Sequence, residues 1–101
     1  MLEEIRETIA REVEKAGLTL VEVILFGSRA RGDFREDSDW DILVVTKEPL
    51  DRRKYRELWR RIYESLDVPA DILIVSENEF ERLKDMKGYI YYYATREGIK
   101  V

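Results

Sequence analysis

Neither cysteine nor histidine occurs in this chain of 101 residues. Their absence removes thiol nucleophiles, disulfide frameworks, Cys/His zinc sites and every triad that needs an imidazole. Any catalysis must come from carboxylates, hydroxyls, lysine or arginine, or from a hard metal ion in oxygen ligands. Glutamine is also absent and Asn78 is the only asparagine, a composition that fits heat-stable proteins. No apolar run could span a bilayer, and the N-terminal MLEEIRETIAREVEKAG is acidic and amphipathic, unlike a signal peptide. A cytoplasmic protein is expected. A dominant charge sign is missing too: charged residues make up 40% of the chain, yet the net charge is only -4. With both signs interspersed, the chain is a poor candidate for direct nucleic-acid binding. One domain over residues 1–101 is expected, because a chain of this size buries roughly 65% of its unfolded surface, enough for a single core. There is no room for a separate substrate-binding domain.

What is present has clear periodicity. Leu2, Ile5, Ile9 and Val13 recur at helical spacing, with Glu3 and Glu4 in the first turn, Lys15 in the last and Gly17 as the stop. LTLVEVILF (Leu18 to Phe26) reads as a largely buried strand and WDILVV (Trp40 to Val45) as a second. Asp51 is placed to cap a helix on which Tyr55, Leu58, Trp59, Ile62, Tyr63 and Leu66 form one apolar face, with Pro69 as its stop. ADILIVS (Ala70 to Ser76) is a third strand, and Ser76 can cap a short helix reaching about Leu83. YIYYYATREGIKV reads as a last helix ending at Gly98 with a short tail strand. This order predicts a small α/β or α+β fold, a mixed sheet flanked by helices. The helix face of Arg52, Arg53, Arg56 and Arg60 is expected to be solvated and tied to Glu57 and Glu64.

The stretch FGSRARGDFREDSDWDILVV, Phe26 to Val45, carries the chemistry. Gly27-x4-Gly32 resembles a phosphate-binding loop, but the next residue must be lysine and is Asp33. Asp37, Asp39 and Asp41, with Glu48 at the twelfth position, resemble a calcium loop, but Ile42 stands where that loop needs glycine. What remains is a strand-borne Asp39-x-Asp41. Residues two apart on a strand share a face, so the two carboxylates project together while Trp40 points toward the core. Such a pair repels unless a cation lies between them, and its oxygen donors suit Mg2+ or Mn2+. If the third strand neighbours the second, Asp71 becomes a third acid at the same place. Three acids around divalent ions are standard equipment for phosphoryl or nucleotidyl transfer. Gly27 lets a phosphate approach the backbone, Ser28 can donate to its oxygens, and Arg29 and Arg31 can add charge-assisted contacts.

GSRARGDFREDSDWD resembles the GSx10DxD signature of the DNA polymerase β-like nucleotidyltransferases, with Gly27-Ser28, ten residues, then Asp39-x-Asp41. The wider GSRARGDFREDSDWDILV is similar to the minimal nucleotidyltransferases, the MNT proteins often partnered with HEPN-domain proteins in toxin–antitoxin pairs. The resemblance implies a nucleotidyltransferase-type mixed sheet. Asp39 and Asp41 would hold Mg2+, Asp71 would take the third metal and general-base position, and Gly27 and Ser28 would hold the triphosphate of ATP. It also implies transfer of AMP to a hydroxyl, that of a tyrosine, on a HEPN toxin. The alternatives are an antitoxin that neutralises by occlusion alone, and a nucleotidyltransferase acting on a small molecule or RNA end.

Overall fold

The first apolar stripe folds as a helix, α1 (Leu2–Lys15), burying Ile5, Ile9 and Val13. The computed structural model describes all residues, 1–101. Strand β1 covers Leu20–Phe26, starting two residues later than the sequence predicts. The N–H and hydroxyl of Thr19 both donate to the Glu48 carboxylate at 2.8 Å, and only its carbonyl meets the neighbouring chain, accepting from the Lys47 N–H at 2.9 Å. A one-turn helix, α2 (Ser28–Arg31), follows directly, where the sequence reads as loop. Then come β2 (Trp40–Thr46), α3 (Arg52–Ser65), β3 (Ala70–Ser76), α4 (Glu77–Leu83), α5 (Ile90–Glu97) and the two-residue β4 (Ile99–Lys100). The predicted caps form: Asp51 Oδ1 accepts from Lys54 N–H at 2.8 Å, and Ser76 Oγ accepts from Glu79 N–H at 3.4 Å. Helix α3 ends at Ser65, its Leu66 cap already extended, so it stops short of Pro69 rather than at it.

The strands form one mixed sheet in the order β3-β2-β1-β4. β1 runs antiparallel to β2 and β4, whereas β2 and β3 are parallel, joined through α3 as parallel neighbours must be. Alternation along each strand divides the core in two. Val23, Leu25, Ile42, Val44, Ile72 and Ile74 face α1 and α3, and Leu58 and Ile62 of α3 complete that layer. Ile24, Leu43, Val45 and Val75 face the other way, against Phe80 of α4 and Ala94 of α5. Each fully buried aliphatic side chain contributes about 1.5–3 kcal/mol, so these layers supply the main drive to fold.

Two aromatic residues of α3 seal the outer edge of β3. Trp59 Nε1–H donates to the Ile72 carbonyl at 3.2 Å, and the Ile74 N–H donates to the Tyr55 hydroxyl at 3.4 Å. Those groups would otherwise offer a pairing edge. Tyr63, counted on the buried face, stays 48% exposed and stacks on Trp59 with ring centres 4.9 Å apart. The arginine face of α3 is solvated as expected, with Arg52, Arg53, Arg56 and Arg60 all exposed, but it is not tied: Glu57 pairs with Arg61 at 3.7 Å, and no ion pair joins Glu57 or Glu64 to those four arginines.

Candidate active site

The second face of the sheet is only partly covered by α4 and α5. Its open end is where β1 finishes and where β2 and β3 begin. Asp41, Leu43 and Val45 share this face on β2, and Asp71, Leu73 and Val75 share it on β3. The parallel register sets Asp41 directly beside Asp71 and the antiparallel register sets it beside Phe26, so Gly27 follows at once. Neighbouring strands lie about 4.8 Å apart, which puts the two acids within one another's field.

Gly27 has φ 72° and ψ -157°, a conformation that essentially only glycine adopts. It has a second reason to be glycine, because a Cβ there would overlap Oδ2 of Asp41 and stand 2.9 Å from its Cγ. The Asp41 carboxylate therefore lies against the turn backbone. The chain leaves that turn as α2, wound by the Gly27 carbonyl accepting from the N–H groups of Ala30 and Arg31 at 3.1 Å each. Ser28 stands at its head, partly buried.

Burial raises the Asp41 carboxyl above the ordinary range of an aspartate, and the charges of Asp71 and Asp39 push it the same way, while Arg31 opposes them. Asp39 and Asp71 are exposed on the rim of the site. A partly buried acid raised by two others, with only Arg31 set against them, favours an added cation. No three acidic side chains are drawn together into a ready-made metal cluster. Gathering them against their own repulsion is work for a cation, and an all-oxygen donor set beside a glycine-lined turn fits Mg2+ or Mn2+.

The two arginines expected beside the phosphates are placed differently. Arg31 is at the surface, its Nε 3.5 Å from Asp33 and its Nη1 3.3 Å from Glu97 of α5, near enough to Asp41 to act on its charge. Arg29 is turned into its own loop. Its Nε and Nη2 both donate to the Ser38 carbonyl, at 3.1 and 3.0 Å, and Nη2 also donates to the carbonyls of Glu36 at 3.0 Å and Arg35 at 3.4 Å. Its guanidinium carbon lies 4.6 Å from the centre of the Phe34 ring and 4.4 Å from that of Trp40. Nothing in the spacing of Arg29, Phe34 and Trp40 announces this cluster, because it is made by the path of a loop. Asp67, in the loop between α3 and β3, lines a small cleft with Met1, Glu4 and Ile5 beside α1.

The largest cleft, about 550 Å³, lies elsewhere, among β1, β4, α4 and α5. Its cations are already matched: Lys84 with Glu81 at 2.8 Å, Lys100 with Glu22 at 3.1 Å and Arg96 with Asp85 at 3.4 Å. It has volume without unmet charge, unlike the carboxylate rim.

The family model described as "Nucleotidyltransferase domain" matches residues 2–100. A protein of Methanocaldococcus jannaschii named a "putative protein adenylyltransferase" is 44% identical over 52 residues, 52% of this chain and 52% of that protein, so the match spans about half of each. A solved "putative minimal nucleotidyltransferase" superposes with a TM-score of 0.64 at 29% identity, over 99% of this chain and 92% of its own. A chain from the complex of a tri-AMPylated Shewanella oneidensis HEPN toxin with its MNT antitoxin gives a TM-score of 0.59 at 20% identity, over 99% of this chain and 71% of its own. At that identity the likeness is one of fold.

Proposed function

Since the chain belongs to the nucleotidyltransferase domain family, we propose that it is a Mg2+-dependent adenylyltransferase working in the cytoplasm. It moves AMP from ATP to a hydroxyl, that of a tyrosine, on a HEPN-type toxin, and so acts as the antitoxin of the pair. The observation that carries this reading is the packing of the Asp41 carboxylate against Gly27 with Asp71 in register beside it. A divalent ion held by Asp39 and Asp41 would neutralise phosphate charge and acidify the acceptor hydroxyl. The bare backbone at Gly27 and the hydroxyl of Ser28 receive the β- and γ-phosphates. Asp71, exposed on the rim, takes the proton of the acceptor hydroxyl as its oxygen bonds to the α-phosphorus and the bond to pyrophosphate breaks. The acceptor leaves carrying AMP. Asp39 and Asp71 are exposed on the rim, where an acceptor presented by another molecule can reach them. The MNT–HEPN complex of similar fold is one such arrangement, and the name of the Methanocaldococcus relative points to protein as acceptor.

The test is incubation with Mg2+ and ATP labelled at the α-phosphate, alone and with the protein encoded beside it, next to the double variant Asp39→Ala, Asp41→Ala. Label on the partner that disappears with the variant is the expected result. Tight binding without any label transfer would overturn the catalytic reading in favour of neutralisation by occlusion. Label on a small molecule or RNA end, and none on protein, would overturn the choice of acceptor.

A further inference from the structure

We infer that Arg29 is a positioning residue for Asp39, holding that carboxylate in place for the incoming cation rather than touching the nucleotide; this rests on the nucleotidyltransferase reading of the site. Asp39 lies just outside β2, on the exposed rim, at the end of a loop without regular structure. Asp39 itself has no partner in the sheet ladder, which begins at Trp40. A side chain's direction follows from its backbone dihedrals, and these are set by the two peptide planes on either side.

Both planes beside Asp39 are tied. The plane before it carries the Ser38 carbonyl, which accepts from Nε and Nη2 of Arg29 at 3.1 and 3.0 Å. The plane after it carries the Trp40 N–H, which donates to the Pro69 carbonyl at 2.9 Å. The second tie anchors to the start of β3. The first depends on one side chain. The loop it holds is already a closed turn: Ser38 N–H donates to the Arg35 carbonyl at 3.0 Å, and Arg35 N–H donates to Ser38 Oγ at 2.9 Å. Arg29 fastens this turn to α2, and therefore to the Gly27 turn against which Asp41 rests.

The guanidinium itself is fixed by the Phe34 and Trp40 rings, and Trp40 packs in turn against the larger core layer. An arginine that grips a triphosphate needs its planar fork free. Here the fork of Nε and Nη2 is spent on carbonyls, so Arg29 acts through the loop. Lysine cannot replace it, since one ammonium has neither the fork nor the flat face.

The deciding experiment is Mn2+ binding, followed by electron paramagnetic resonance on the chain alone, with ATP affinity measured separately at saturating Mn2+. Arg29→Lys keeps the charge and is the main variant, with its melting temperature as the check on folding; Arg29→Ala with added methylguanidinium is the second. We expect Arg29→Lys to weaken Mn2+ binding about 10- to 100-fold, the range for removing an outer partner of a metal ligand. ATP affinity at saturating Mn2+ should change by less than about threefold, and methylguanidinium should restore part of the loss in Arg29→Ala. In an Asp39→Ala background Arg29→Lys should add nothing, because it acts only through Asp39. Unchanged Mn2+ affinity in Arg29→Lys, an effect that persists undiminished in Asp39→Ala, or a loss confined to ATP affinity would overturn the inference while leaving the site reading intact. No Mn2+ binding by the unaltered chain would overturn both.

Discussion

Replacing Gly27 by alanine tests the one contact on which the functional reading rests. The backbone term comes first. At φ 72° and ψ -157° a residue with a Cβ sits in a region nearly reserved for glycine, at a cost of about 1–3 kcal/mol. The steric term is separate. The new methyl overlaps Oδ2 of Asp41 and reaches 2.9 Å from Cγ, so the carboxylate must leave its rotamer or the turn must lift off the strand. Such overpacking costs about 1–3 kcal/mol more. The sum, about 2–6 kcal/mol, lowers the melting temperature by at least about 8 °C in a domain of this size. Gly32→Ala is the control: φ is 89° and ψ 4°, but nothing lies within 4 Å of the added methyl, so only the backbone term remains. The cycle with Asp41→Ala separates the two. Shortening Asp41 removes the overlapping atoms and leaves its Cβ at 3.2 Å, so Gly27→Ala should cost about 1–2 kcal/mol less in that background. Urea melts of the four proteins measure it. A coupling below about 0.5 kcal/mol, or a Gly27→Ala cost equal to that of Gly32→Ala, would refute the claim that Asp41 rests on the turn.

Other positions give sharper or milder outcomes. Gly98→Ala should be the harsher glycine change although its φ is an ordinary -81°, because the added Cβ overlaps the Ala94 carbonyl and reaches 3.0 Å from that of Leu25; loss of the cooperative melt, or a drop well beyond that of Gly32→Ala, is expected by circular dichroism. Glu48 sets an acid-side dependence. The N–H of Thr19, and then its hydroxyl, hold the Glu48 carboxyl below its ordinary 4.5, so the stability it lends is present above that pH and fades as pH falls through the lowered value. Wild type should therefore melt above Glu48→Gln near neutrality, with the gap closing on acidification; a gap that widens below pH 4.5 would contradict the assignment.

Glu48 also illustrates how far the sequence could be read. Counted along the chain it completes a calcium loop, and only Ile42 at the glycine position argues against it. In the fold it faces Thr19 at the start of β1, at the far end of β2 from Asp41. Elements with a period were legible because the period is the physics: α1, the buried stripe of α3 and the three long strands follow from where apolar residues recur. The pairing of Asp41 with Asp71 was legible only as a condition, that β3 should neighbour β2, and the parallel register meets it. What stayed hidden has no period. The single turn of α2 is too short to show one, and Arg29 looks from the sequence like any cation beside a phosphate loop. Its role is set by where Phe34, Ser38 and Trp40 return in space after a loop whose path no local rule dictates. The same residue type in the same motif can serve the ligand or serve the loop. Which it serves depends on whether the fork is spent before the ligand arrives, and here three carbonyls have taken it.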